Sequence, residues 1–199
     1  MRPKRGPMDH IKAAFDAFKR HPLQWFLLGL LFGAMSNLVV GIFLLPNFIR
    51  IVRVSAPVGG PPPEIGDLFN LDHIGDDIVT VAIWNLALFT GACFCFVGTA
   101  VVAVLGVWTQ HLCADRLYAP VDCLRASFHH AKSNVGTIVP TLILFFAVFA
   151  MVVVLTCFLG ALVVAPIAII ALERFYAEHR DAIVAAADAA GVPRLVESH

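Results

Sequence analysis

The sequence predicts an all-α polytopic membrane helical bundle, and three observations predict it. Of 199 residues, 59% belong to the AVILMFWYC set and 14% are charged, at a mean hydropathy of +0.83, a larger apolar share than one soluble core hides. No charged residue occurs in 21–49, 78–114 or 133–172, runs of 29, 37 and 40 residues, each longer than the roughly 20 apolar residues that span a bilayer. An amphipathic segment ahead of the first run also recurs ahead of the third.

Taken in order, the first apolar run starts beyond residue 22 and is too long for a signal h-region, so it reads as a retained anchor. Residues 24–45 fit one crossing helix, ended or kinked by Pro46. Residues 55–63, rich in Pro and Gly, read as exposed linker. Ile65, Leu68, Phe69 and Leu71 beside Glu64, Asp67 and Asp72 predict a short amphipathic turn at the outer interface, and Asp76 and Asp77 suit the N-terminus of the next helix. The run 133–172 would be about 60 Å long if straight, twice the ~30 Å hydrocarbon core. It is expected to fold back near Cys157 to Gly160, giving helices over 135–156 and 160–180 kinked at Pro140 and Pro166. The tail after Glu173 continues as helix until Gly191 and Pro193 end it.

Residues 78–114, about 55 Å if straight, carry no proline to mark a turn, and charge decides their reading because cytoplasmic loops collect Lys and Arg. Six basic residues precede the first span, Arg50 and Arg53 follow it, three lie in the middle (Arg116, Arg125, Lys132) and three near the end (Arg174, Arg180, Arg194). One crossing through 78–114 puts twelve inside and two outside. A hairpin there leaves six against eight. The expectation is therefore four transmembrane helices with both termini cytoplasmic, or five if 78–114 is a hairpin. A single crossing would overhang the hydrocarbon by about 25 Å, which predicts a homo-oligomer or another membrane protein covering Ile83, Trp84, Leu105, Val107 or Trp108, with a kink at Gly91 or Gly98 as the competing account.

Residues 9–19 align without a gap to 122–132 at an offset of 113. Asp9/Asp122, Ala13/Ala126, Phe15/Phe128 and Lys19/Lys132 are identical. Both segments place apolar residues at helical spacing and lead into a hydrophobic run. This predicts two cytoplasmic interfacial helices and a repeated unit, 9–114 and 122–180, within one integral membrane domain, with 181–199 as a cytoplasmic tail.

The stretches Phe15 to Trp25, Pro61-Pro62-Pro63 to Phe69, Ala126-Ser127-Phe128 to Lys132, and Gly160 to Pro166 with Phe175-Tyr176 together resemble a broad group of uncharacterised bacterial multi-pass integral membrane proteins. They are similar as well to the membrane domain attached to some glycerophosphodiester phosphodiesterases, without a hydrolase domain here. The resemblance implies a bacterial cytoplasmic (inner) membrane and no defined activity.

His111, Cys113, Asp115, Cys123, His129 and His130 crowd into twenty residues, but without the i, i+4 pair or Cys-x-x-Cys spacing of a metal site. Cys93 and Cys95 stand about 200° apart on a helix and read as buried structural thiols. Asn37, Asn85, Thr99 and Gln110 are candidate intramembrane polar contacts, alongside Ser36, Thr90 and Thr156. Gly29-x-x-x-Gly33 is a candidate helix-packing motif. No nucleophile elbow, phosphate loop or His-Glu-x-x-His motif occurs, and the zero net charge offers no basic face for nucleic acid. No catalytic residue, cofactor or metal is assigned. The expected role is a non-enzymatic membrane scaffold or assembly partner in the lipid bilayer, and the alternative is an oligomeric channel or small-solute transporter.

Overall fold

A computed structural model describes residues 6–37, 43–70, 72, 74–93, 95–155 and 161–195, and all regular structure among them is helical. Two compact units emerge, Met1–Asn70 with Pro140–Glu178, and Leu71–Val139 with His179–His199. Both are discontinuous in sequence.

In the first unit, α1 (Pro7–Arg20) is fixed by its ends. Pro7 occupies a first-turn position that needs no N–H, Asp9 accepts the Gly6 amide at 2.9 Å, and Lys19 and Arg20 stand at the negative end of the helix dipole. After the single non-helical residue His21, α2 (Pro22–Asn37) opens the first charge-free run. The expectation of one crossing helix over 24–45 is corrected here. Phe32 stacks on Phe48 with centroids 5.0 Å apart, whereas a straight helix would separate them by about 24 Å. Arg20 donates to the carbonyls of Ala56 and Pro57, joining the two ends of the segment. The chain therefore runs back as α3 (Leu45–Ser55). A straight helix over residues 21–49 would measure about 43 Å, and the ring contact and the Arg20 bonds exclude it. Pro46 stands in the first turn of α3 and starts a helix, although its pattern in the sequence suits a helix end equally well. The 3-10 turn Gly66–Phe69 docks on α3 through the Asn47 amide, which donates to Leu68 O at 3.1 Å and Asn70 O at 2.7 Å.

The third run also doubles back. α8 (Val135–Leu155) and α9 (Ala161–Ala189) carry Phe145 and Phe175, which meet edge-on with centroids 6.2 Å apart. Pro140 and Pro166 lie inside helices that continue through them. The expected turn at Cys157 to Gly160 lies outside the described residues.

In the second unit, the single crossing preferred for 78–114 is corrected to the hairpin. α4 (Ile74–Cys93) and α5 (Cys95–Leu105) fold against each other. A Cβ on Gly91 would lie 2.9 Å from Gly98 O, and one on Gly106 would lie 1.9 Å from Trp84 Cζ3. In a straight helix residues 91 and 98 would be about 10 Å apart. The missing side chains at Gly91 and Gly106 let the arms close. α6 (Thr109–Asp115) extends the returning arm and ends at Arg116, whose φ is +55°. α7 (Pro120–Ser133) then repeats α1: both have 14 residues, a leading proline, an acidic third residue and a one-residue break (His21, Asn134) before a long apolar helix.

The offset of 113 extends to packing. His10, Ala14, Ala17, Phe18, Trp25 and Leu28 are buried, and so are Cys123, Ser127, His130, Ala131, Ile138 and Thr141. The next matched pair is Phe32 and Phe145, each touching the arm that returns beside its own helix.

Among the described residues α4 and α8 are long and apolar enough to cross a membrane, and only 22% and 17% of their apolar windows are buried.

Candidate functional site

A group of buried polar side chains forms the base of the second unit's hairpin. Asp77, in the first turn of α4, is buried and accepts the Cys113 thiol of α6 at 3.4 Å. One helical turn beyond it stands Thr80. On α6 the corresponding turn carries Thr109 and Gln110, so register sets these three between the Asp77–Cys113 rung and the Trp84–Gly106 rung. All three are buried, and Thr80 Oγ1, Thr109 Oγ1 and Gln110 Oε1 have no hydrogen-bond partner.

Helix α7 locks this base. The break between α5 and α6 exposes the Leu105 carbonyl and the Trp108 amide, groups that a helix end leaves unpaired. Ser127 satisfies both, donating to Leu105 O at 2.9 Å and accepting from Trp108 N at 3.1 Å. The fully buried Trp108 ring meets the His111 edge at 6.1 Å and stacks on His179 at 6.4 Å, and His179 meets His130 at 6.0 Å. Burial holds the His130 imidazole below its usual range, with His179 adding to the shift. Arg180 pairs with Asp115 at 2.8 Å, and the Leu195 amide bonds Leu117 O at 2.9 Å, so the tail is docked on this unit.

The first unit has a polar base of its own. The C-terminal carbonyl of α3 at Ala56 accepts from Arg20 and, at 3.0 Å, from Arg174, cations placed where helix carbonyls run out of partners. Arg53 pairs with buried Glu173 at 2.7 Å and covers Tyr176 at 5.5 Å, and His10 meets Glu178 at 3.3 Å.

Of the residues singled out in sequence, His111, Cys113, Cys123 and His130 are buried in the second unit, Asp115 is engaged by Arg180, and His129 is exposed. No group of three or more His, Cys, Asp or Glu able to hold a metal occurs among the described residues. Burial, with Cys113 adding to it, pushes the Cys123 thiol far up, which removes it as a nucleophile. Asn85 donates to Val81 O at 2.8 Å and Thr90 to Leu86 O at 2.8 Å, each within its own helix. Gln110 belongs to the buried layer, and Thr99 is half-buried on α5. Gly29 is buried, and a Cβ on Gly33 would meet nothing within 4 Å. Cys93 is exposed, which corrects its reading as a buried thiol. Thr156 and the side chains of Ser36, Asn37 and Cys95 lie outside the described residues.

Sequence reasoning passed over Asp77, Thr80, Ser127 and Glu173 as site residues. Glu173 carried a signal, an acidic residue closing the third run where Arg50, three residues before its partner Arg53, closes the first. Ser127 carried none, because its role depends on a helix break that no residue announces.

No family model, curated protein or solved structure matches the chain.

Proposed function

We propose that this chain is an integral membrane protein built of helical hairpins and serves as a non-enzymatic membrane scaffold or assembly partner. The observation that carries the reading is the exposure of α4 and α8. Leu86, Phe89, Ile143, Phe146, Met151 and Val154 all face outward, Phe146 by 77%. The core helix of a soluble protein buries such residues, and at about 30 Å each these helices match the hydrocarbon thickness. Lipid is the partner these faces fit. The homo-oligomer inferred from an overhang of 78–114 loses its premise, because that run folds back.

Contacts across each charge-free run support a revised topology. Arg20 reaches Ala56, Asp77 meets Cys113, and His130 meets His179. A chain that leaves each run where it entered keeps all 14 Lys and Arg on one face, a stronger bias than twelve against two. That face is cytoplasmic by the distribution of basic residues. Both termini remain cytoplasmic, and the 55–63 linker joins them. The bonds of Asn85 and Thr90 to their own helices weigh against these residues lining a channel.

Alkaline carbonate extraction of membranes expressing the chain tests the reading. Retention in the pellet and release by detergent support it; release by carbonate alone refutes it.

A further inference from the structure

The two interfacial helices share more than their buried faces. On α1 the residues Met8, Lys12, Phe15 and Lys19 are exposed, and on α7 the residues Val121, Arg125, Phe128 and Lys132 are exposed. The two sets match one for one at the offset of 113. Their spacing of i, i+4, i+7 and i+11 makes each a single stripe along its helix. The order is also shared: an apolar residue, a cation, a phenylalanine, a cation. Lys19 Nζ lies 4.5 Å from the Phe15 ring centroid. Folding leaves both phenylalanines 42–46% exposed although smaller residues on the same helices are buried.

A phenylalanine held outward between two cations suits a surface that is apolar beneath and anionic on top. We propose that the outward stripes of α1 and α7 form a duplicated docking surface for anionic phospholipid headgroups, with Phe15 and Phe128 entering the acyl boundary and the flanking cations meeting phosphate. The proposal rests on the membrane reading above, and it names the lipid. The stripes are unequal. Exposed Asp16 borders the α1 stripe where α7 carries His129, so α7 supplies the larger share. Arg125 is paired with Asp122 at 3.2 Å on the surface, a contact weak enough for a phosphate to replace.

The test uses the full chain in nanodiscs of phosphatidylcholine containing a minor fraction of phosphatidylglycerol, with retained lipids counted by native mass spectrometry. The wild-type chain should retain phosphatidylglycerol beyond its share. Each cation lost should cut this by about fivefold at low salt, and the preference should fade as ionic strength rises past about 0.15 M. R125Q/K132Q should lose more than K12Q/K19Q. The conservative K12R/K19R/K132R variant should keep the preference, and matching helicity across the variants shows that folding is unchanged. Equal retention of both lipids by the wild type overturns the proposal. So does full preference in the quadruple Gln variant, or loss of a co-purifying protein with lipid retention unchanged. Release of the chain by carbonate would be a separate result, against the membrane reading itself.

Discussion

Trp84 lies against Gly106 so closely that a methyl group on the glycine would sit 1.9 Å from Cζ3 of the indole. The contact joins two arms of a run that has no charge and no proline, and it fixes their register. Gly106→Ala should therefore cost about 1–3 kcal/mol through forced displacement of the ring. Gly33→Ala, where a Cβ meets nothing within 4 Å, should be neutral or slightly stabilising from helix propensity. Thermal unfolding in detergent compares the two. Equal effects would mean that the hairpin does not close at Gly106.

Val58, 93% exposed in the 55–63 linker, and His199 should lie on one side of the membrane. Single cysteines at the two positions, in a background free of the native cysteines, should react alike with an impermeant maleimide, in inside-out vesicles and not in intact cells. Opposite labelling would restore an odd number of crossings between them.

Glu173 is buried beside Arg53 at 2.7 Å. Arg53→Met should be destabilising, by about 1.5–3 kcal/mol, because it takes a charge-assisted hydrogen bond from a buried carboxylate. Arg53→Met/Glu173→Met should recover most of that loss. A double change as costly as the single one would show that Arg53 acts through its packing on Tyr176 alone.

His130 binds its proton less readily when folded than when unfolded, because of burial and of His179. The unfolded chain then takes up more protons as pH falls below the ordinary histidine range, so stability should be full above about pH 6.5 and decline in acid. His130→Gln should flatten that part of the profile of melting temperature against pH. An unchanged slope would assign the acid sensitivity to other groups.

Ser127 bridges Leu105 O and Trp108 N. Ser127→Ala should cost about 1–3 kcal/mol by removing the hydroxyl that bridges the Leu105 carbonyl and the Trp108 amide, and amide exchange should quicken first at Trp108. Uniform exchange across α5 and α6 would count against the bridge.

The two amphipathic helices were legible because their pattern is local: proline, acidic third residue and periodic apolar positions are readable one turn at a time. The hairpins were less so. A run uniformly apolar gives no alternation of faces, so Phe32 does not announce that it meets Phe48. Gly91, Gly98 and Gly106 were visible, but a glycine reads as a kink as readily as a close approach until its neighbour is known. The basic residues favour one pass through 78–114 only if 24–45 is also a single pass, which is what sets the linker outside. The buried layer of Asp77, Thr80, Thr109 and Gln110 depends on register between two arms, which length and composition do not contain.

Both compact units are interleaved along the chain, and that has a consequence for biosynthesis. The first unit needs residues up to Glu178, although its opening hairpin is finished before Asn70. At the roughly 5–20 residues per second of translation, several seconds or more pass between the emergence of Phe48 and that of Glu173, the partner of Arg53. During that interval the early hairpin carries its arginine without its carboxylate. The second unit closes later still, when the segment after His179 arrives. Neither unit is complete in a nascent chain stopped short of its last helix, so a ribosome stalled before residue 160 would hold two open half-structures, each still waiting for the surface that only the C-terminal helix supplies.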